Sequence, residues 1–233
     1  MTASSQYTVD RYGGALRRRD RIAWDVCKAA LSGAAKIWFR YEVHGRENLP
    51  EDGAFILSPN HRSNLDTPLL PVIRRDPIRF MGKESLWKAG KPAAWFLDTM
   101  GGFPVERESA DRAALRLAED ILANDEPLVM FPEGTRQSGP IVEEENMHSG
   151  PSFLAGRQQV PIIPIGVAGS EAAMPTGSKF VYPRKITFVI GEPLAPPEPN
   201  DKGRVSRRAV QEHTELLRDR IQELFDEAKS LNG

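Results

Sequence analysis

The sequence of 233 residues is poor in the features that many protein classes require. Its single cysteine, Cys27, excludes an internal disulfide and is typical of a reducing compartment. The longest apolar stretches stay well below the about 18 residues of a transmembrane helix. Charges nearly cancel, at 31 Lys+Arg against 32 Asp+Glu, so no overall field indicates a nucleic-acid partner. The basic start has no apolar segment behind it, and we therefore expect no secretory signal.

Several catalytic and binding motifs are also missing. There is no Gly-x-x-x-x-Gly-Lys-Ser/Thr loop and no Gly-x-Gly-x-x-Gly fingerprint, so no motif supports a nucleotide-binding fold. No Gly-x-Ser-x-Gly elbow supplies a serine nucleophile, and no Cys/His cluster has metal-ligand spacing. We therefore expect no bound metal and no other cofactor.

What is present is an alternation of apolar, strand-like runs with helical patterns. The predicted strands are 41–45, 54–58, 78–82, 128–131, 162–167 and 186–191. The predicted helices between them are 66–74, 91–99, 109–124 and 149–157, and a long amphipathic helix closes the chain. This pattern predicts a single α/β domain over residues 41–233, with a central, largely parallel sheet flanked by helices.

The N-terminal segment has a different character. Residues 1–14 are predicted to be a flexible tail, and residues 15–40 an amphipathic helix, or a helix pair if Gly33 breaks it. Basic residues lie beside its apolar positions, and on a membrane surface it would hold aromatic side chains at headgroup depth: Trp24, Trp38 and Phe39. The alternative is a helix that packs on the domain.

The stretch "SPNHRSNLDTPLL", residues 58–70, follows an apolar run and contains a histidine and an aspartate, His61 and Asp66. Five helical steps of about 100° leave two side chains off one face. The histidine is therefore placed on a turn, and the aspartate in the first turn of a helix capped by Ser63 or Asn64. A carboxylate there can fix the imidazole tautomer and leave the other nitrogen free to accept a proton. The pattern predicts a catalytic pair or, alternatively, a turn histidine beside a capping aspartate.

Three other stretches carry a cation next to the end of an apolar segment. They are "FMGKESL" with Lys83, "GGFPVERESADRAAL" with Arg107, and "VMFPEGTRQSG" with Arg136. Each cation alone is more often a surface charge, but three at strand ends favour an anionic ligand such as phosphate. A His–Asp base without a protein nucleophile, beside such a site, suits direct attack of a substrate hydroxyl on an activated acyl group.

These stretches resemble the sequence blocks of the glycerol-phosphate and lysophosphatidic acid acyltransferases. "NHRSNLD" has the family's Asn-His-x-x-x-x-Asp signature, "GGFPVER" and "FPEGTR" are similar to its second and third blocks, and "VPIIPIGV" (160–167) to its fourth. The resemblance implies an O-acyltransferase of the bacterial 1-acyl-sn-glycerol-3-phosphate type, acting in phospholipid biosynthesis.

The resemblance also implies a role for each matching residue. His61 is expected to be the general base and Asp66 its partner, without a covalent acyl-enzyme. The three cations would bind the acceptor phosphate: Lys83, Arg107 and Arg136. Other block residues would shape the acceptor site: Asn60, Glu133, Gly134 and Thr135. The 160–167 strand would form a wall of the acyl pocket.

The expected partners follow from the same resemblance. The donor would be acyl-CoA or acyl carrier protein, and the acceptor a lysophospholipid or glycerol phosphate. The protein would lie at the cytoplasmic face of the membrane, held on the anionic surface by its N-terminal helix, with no nucleic acid as partner.

Alternatives stay open at this point. One is a same-family O-acyltransferase acting on glycerol 3-phosphate or a glycolipid, since "EEENMHSG" (143–150) is acidic where the family often has a basic residue. Another is a metal-assisted phosphoesterase that would use His61, Asp66 and Glu133.

Overall fold

A computed structural model describes residues 18–105, 110–201 and 203–233. The strands are β1 (Glu42–His44), β2 (Ile56–Pro59), β3 (Arg79–Lys83), β4 (Gly102–Val105), β5 (Leu128–Val129), β6 (Ile162–Ala168) and β7 (Thr187–Ile190). They form one sheet in the order β1–β7–β6–β2–β5–β3–β4. Only β6 and β7 pair antiparallel within these residues; every other neighbouring pair is parallel. The predicted α/β fold with a largely parallel sheet is confirmed.

Helices cover both faces of this sheet. They are α1 (Arg18–Phe39), α2 (Asp66–Leu69), α3 (Lys91–Thr99), α4 (Ala110–Ala123), α5 (Gly150–Gln158), α6 (Ser170–Ala173) and α7 (Arg207–Asn232). The predicted helix 66–74 is shorter than expected, because a 3₁₀ turn at Leu70–Ile73 follows α2. Pro71 in that turn has no N–H with which to continue the α-helical pattern.

The core forms because alternate residues of the central strands point to opposite faces. On one face Phe55 and Leu57 pack in a cluster with Trp24 of α1. On the other face Ile56 packs in a cluster with Leu217 of α7. This two-sided burial explains the nearly continuous apolar character of the strands.

Gly166 of β6 allows α7 to approach the sheet closely. A Cβ atom at this position would lie 2.2 Å from the backbone of Leu224. Any side chain here would push the C-terminal helix away from the sheet, so the helix position depends on this glycine.

The N-terminal helix α1 differs from the expectation in two respects. It is continuous through Gly33, since one glycine costs a helix only about 1 kcal/mol. Trp24 and Phe39 are buried in the core, which corrects the expectation that they lie at headgroup depth. The large apolar side chains that α1 leaves exposed are Ile22, Val26, Ile37 and Trp38.

The predicted tail, residues 1–14, lies outside the described residues. None of the described helices is both long enough and apolar enough to cross a membrane.

Candidate active site

His61 lies in the turn between β2 and α2, and its imidazole contacts the first residue of that helix. The His61 Nδ1 atom is 2.9 Å from Oδ2 of Asp66, whose side chain is completely buried. The same oxygen accepts the backbone N–H groups of Arg62 and Ser63, both at 2.7 Å. A carboxylate that accepts from Nδ1 keeps the proton of a neutral ring there and leaves Nε2 as the proton acceptor. The spacing of five residues therefore brings the two side chains together across the turn.

The capping of α2 differs from its prediction. The residue before the helix is Leu65, whose side chain cannot cap, and Asp66 instead accepts hydrogen bonds from the turn that precedes it. Ser63 Oγ accepts the Leu65 N–H at 3.3 Å and donates to the carbonyl of Met174 at 3.0 Å. Ser63 thus supports the turn and links it to the segment after α6. Asn64 is exposed.

Glu133 holds the His61 turn from a different part of the chain. Its Oε2 accepts the His61 N–H at 2.7 Å, and its Oε1 accepts from Arg62 Nη1 at 2.6 Å. Both side chains of this ion pair are buried, Arg62 at 2% and Glu133 at 0% exposure. Arg62 also donates through Nη2 to the Ile141 carbonyl at 3.0 Å and lies over the ring of Phe225. A buried pair with so many partners fixes the backbone of the turn.

Asn60 extends the pairing of β2 with β6 by one residue. Its Nδ2 donates to the Val167 carbonyl at 3.0 Å, and its Oδ1 accepts the Val167 N–H at 2.7 Å. Asn60 and Glu133 are thus bound to protein groups and are not on the wall of the cavity next to His61. They shape the site through the backbone that they hold.

A cavity of about 1360 Å³ opens beside His61. This volume exceeds the roughly 300–1,000 Å³ of typical small-molecule pockets, so a ligand with a long chain fits. Near the β3 and β5 strands its wall is apolar and contains Phe80, Met81 and Met130. Phe131 also lines it, and the centroid of its ring lies 4.1 Å from that of His61. β6 is completely buried and contributes no residue to this wall, which corrects the expectation for the 160–167 strand.

Gly134 and Thr135 do lie on the cavity wall, as their predicted role requires. Gly134 has a φ of +63°, and a Cβ atom there would lie 2.8 Å from Cδ2 of His148. A glycine is therefore needed for this turn. His148 is exposed and also lies on the cavity wall.

Comparison with known proteins identifies the protein family of this chain. The family model described as "Acyltransferase" matches residues 40–168. The chain belongs to the acyltransferase family. The matched range contains the whole His61 turn and also Glu133, its partner through the backbone N–H.

Individual relatives of this acyltransferase point to one branch of the family. A 1-acyl-sn-glycerol-3-phosphate acyltransferase of Bacillus subtilis (strain 168) is 28% identical over 206 residues, covering 88% of this chain and 98% of the relative. One from Streptococcus pneumoniae is 24% identical over 190 residues, covering 80% of this chain and 66% of the relative. The crystal structure of the 1-acyl-sn-glycerophosphate (LPA) acyltransferase PlsC from Thermotoga maritima has a TM-score of 0.71 at 25% identity, covering 94% of this chain and 92% of that one. The resemblance stated from the sequence is confirmed, and the chain is an O-acyltransferase.

The predicted phosphate ligands of the acyltransferase are not gathered on the cavity wall. Lys83 ends β3 and Arg136 follows Thr135; both are exposed, and neither lines the cavity. Arg107 lies outside the described residues. The described cations that do line the cavity are Arg207 and Arg218 of α7, which no motif indicated. Their spacing of eleven residues, three helical turns, was the available signal.

The remaining histidines have ordinary structural surroundings. His213 is buried, with Nδ1 3.0 Å from Ser152 Oγ and Nε2 3.0 Å from the Ala195 carbonyl. Burial lowers the pKa of His213. His44 lies 3.5 Å from the carboxylate of Glu42.

For the phosphoesterase alternative, both Glu133 oxygens already accept protein donors. The described part of the chain contains no group of three or more His, Cys, Asp or Glu side chains arranged to hold a metal ion.

Proposed function

We propose that this acyltransferase moves a fatty acyl group from an acyl-CoA or acyl carrier protein thioester to the free hydroxyl of 1-acyl-sn-glycerol 3-phosphate, a step of phospholipid biosynthesis. The observation that carries the proposal is the pairing of His61 with the buried Asp66 on the wall of a large, partly apolar cavity. The names of the B. subtilis and T. maritima relatives support this acceptor.

In the proposed mechanism His61 is the general base. Its Nε2 takes the proton of the acceptor hydroxyl while the hydroxyl oxygen attacks the thioester carbonyl. Asp66, 2.9 Å from Nδ1, stabilises the imidazolium that forms. The tetrahedral intermediate then breaks its C–S bond, and the departing thiolate takes the proton from His61. The acyl group passes directly between the substrates, without an acyl-enzyme and without a further cofactor.

The acceptor phosphate is proposed to bind Lys83, Arg107 and Arg136. The position of Arg136 supports its role best, because its neighbours on both sides belong to the site. Thr135 lines the cavity, and the Gln137 N–H donates to the His61 carbonyl at 2.9 Å. A long, flexible arginine there can reach a phosphate at the cavity mouth.

One observation favours an acceptor with a different head group. Glu144 lies on the cavity wall within the acidic segment 143–150. Its carboxylate repels a phosphate that approaches from that side. A glycolipid acceptor avoids this repulsion and is the second candidate, followed by glycerol 3-phosphate.

Membrane attachment is proposed through α1. Its exposed apolar side chains include Ile37, which is 82% exposed, and Lys36 and Arg40 beside it can bind anionic headgroups. Helix α3 packs against α1 and leaves Trp95 exposed as well. This surface supports a peripheral position on the membrane, which we propose to be on its cytoplasmic face.

The test of the proposed function is release of free coenzyme A from an acyl-CoA with each acceptor in turn: 1-acyl-sn-glycerol 3-phosphate, glycerol 3-phosphate and a glycolipid. We expect the first to give the fastest release, and His61→Ala to lower it by about 10²–10⁴-fold. His44→Ala is the matched control and should retain full activity and the same melting temperature. Full activity in folded His61→Ala would refute the mechanism. Faster release of coenzyme A with the glycolipid would show that the glycolipid, and not 1-acyl-sn-glycerol 3-phosphate, is the preferred acceptor.

A further inference from the structure

Helix α7 presents a row of polar side chains to the cavity. Arg207, Gln211, Thr214 and Arg218 all lie on the cavity wall. Their spacing of i, i+4, i+7 and i+11 places them on one face of the helix. At 1.5 Å per residue the row extends about 16 Å from the first arginine to the last. The cavity therefore extends along this face of α7, where Val210 also lines it and the Thr214 hydroxyl forms hydrogen bonds with the Val210 carbonyl and with Ser152 Oγ.

The two arginines at the ends of this row have donor groups to spare. No described residue forms a hydrogen bond or an ion pair with the Arg207 side chain. Arg218 pairs with its neighbour Asp219, and its buried Nε has no hydrogen-bond partner. Two carboxylates, Glu144 and Glu215, also line the cavity. Glu215 accepts from Gln211 at 3.2 Å, and the ion pair of Arg218 is with Asp219.

The proposed reaction brings two anionic substrates into one cavity, and they carry their phosphates at different distances from the reacting atoms. In the acceptor, the hydroxyl and the phosphate are on neighbouring carbons of glycerol, so its phosphate must lie close to His61. In the donor, the phosphate is at the far end of the pantetheine arm from the thioester. Two arginines about 16 Å apart along α7 suit the donor, because coenzyme A carries several phosphates, spread over its nucleotide, beyond the pantetheine arm.

We propose that Arg207 and Arg218 bind the phosphate groups that the acyl donor carries at the far end of its pantetheine arm, and that Gln211 between them contacts the same part of the donor. Arginine binds phosphate through forked, charge-assisted hydrogen bonds, which both side chains can supply. The apolar wall beside His61 is then left for the acyl chain. This inference rests on the proposed function, because it assigns the donor of the same reaction.

The test compares donors that share one acyl thioester but differ in phosphate. The variants Arg207→Gln and Arg218→Gln are assayed with acyl-CoA, with acyl carrier protein and with acyl-pantetheine, which has no phosphate. We expect each variant to raise the KM for acyl-CoA about tenfold, which corresponds to about 1.4 kcal/mol, and to leave the KM for acyl-pantetheine and for the acceptor unchanged. If the KM for acyl carrier protein rises as well, the substituted arginine binds the phosphate of the pantetheine arm itself. If only the KM for acyl-CoA rises, the arginine binds the phosphates of the nucleotide.

Matched controls exist on the same helix. Arg208 and Arg220 are exposed, pair with Glu212 and Glu223 at 2.7 and 2.8 Å, and do not line the cavity. Arg208→Gln and Arg220→Gln should leave every KM unchanged. An unchanged KM for acyl-CoA in both cavity variants, or a higher KM for acyl-pantetheine or for the acceptor, would overturn the assignment. Failure of the wild-type protein to use any thioester would instead refute the proposed function.

Discussion

The ion pair between Arg62 and Glu133 allows a sharp test of how the His61 turn is held. Glu133→Gln keeps the size and shape of the side chain but removes its charge. Arg62, which is 2% exposed, then stays buried without its counter-ion, and the His61 N–H loses a charged acceptor at 2.7 Å.

The expected loss of stability follows from the burial of both groups. Breaking a buried ion pair by neutralising one partner typically costs about 3–5 kcal/mol. The glutamine oxygen of the variant still accepts one hydrogen bond, so we expect the lower end, about 3 kcal/mol. For a chain of this length about 2–4 °C corresponds to each kcal/mol, and the melting temperature should fall by about 6–12 °C.

The activity should fall for a separate reason. The His61 backbone is held by the Glu133 carboxylate, and a shift of about 1 Å in a reacting group can cost about 10²-fold in rate. We expect kcat for acyl transfer to fall about 10–100-fold in Glu133→Gln, with little change in the acceptor KM, since Glu133 does not line the cavity.

The assay combines thermal unfolding with steady-state kinetics and a double-mutant cycle. Arg62→Met removes the buried cation, so the double variant with Glu133→Gln should lose less stability than the two single losses together. Glu212→Gln, which breaks an exposed ion pair with Arg208, is the control and should not shift the melting temperature. A melting temperature within 2 °C and a kcat within about twofold of wild type in Glu133→Gln would refute the reasoning.

Three other predictions concern binding, attachment and pH. Arg136→Ala should raise the acceptor KM about tenfold without changing kcat, because a phosphate contact is kept through the reaction. Val26→Glu combined with Ile37→Glu should abolish flotation with anionic liposomes, because both exposed side chains are proposed to enter the lipid. Burial lowers the pKa of His213 below its usual 6.5. The unfolded chain therefore binds a proton that the folded protein does not, and the free energy of unfolding should fall as pH drops below about 6.5, by up to about 1.4 kcal/mol per pH unit.

Each of these has a control or an opposing outcome. An unchanged acceptor KM in Arg136→Ala would argue against its phosphate contact. Leu231→Glu, on the exposed face at the end of α7, should float like wild type, and equal flotation of the α1 variant would show that the helix is not the anchor. Urea unfolding between about pH 5 and 7 should show a smaller pH dependence in His213→Gln but not in His44→Gln.

The fold could be predicted to the extent that hydrophobic pattern determines it. Most strands and helices follow the predicted runs, but β4 was missed, because "GGFPV" contains two glycines and a proline. The sheet order explains why this sequence can form a strand: β4 is at the edge, where Pro104 breaks no ladder. The pattern also could not tell which side of α1 is buried. Both sides are apolar, and only packing shows that Trp24 points inward and Ile37 outward.

Contacts of the site could be predicted from the sequence where they are local, and were missed where they join distant parts of the chain. His61 and Asp66 could be paired from the sequence because a single turn separates them. Glu133 was expected on the acceptor site, but its contact with Arg62 joins residues 71 positions apart. That contact exists because β2 lies beside β5 in the sheet, an order that periodicity does not reveal. The arginines of α7 were missed for the same reason, since a helix more than 140 residues later reaches the cavity only through the folded sheet.

The His61 turn is held by contacts from several parts of the chain. Asp66 binds it from α2, Glu133 and Gln137 bind its backbone from the segment after β5, and Ser63 donates to the Met174 carbonyl after α6. These contacts come from three parts of the chain, so the geometry of the proposed base depends on β2, β5 and β6 being assembled in the sheet. A base held before substrate arrives needs no reorganisation during proton transfer, which is where catalytic sites gain most of their rate. Loss of one contact should therefore reduce activity more than it reduces substrate binding.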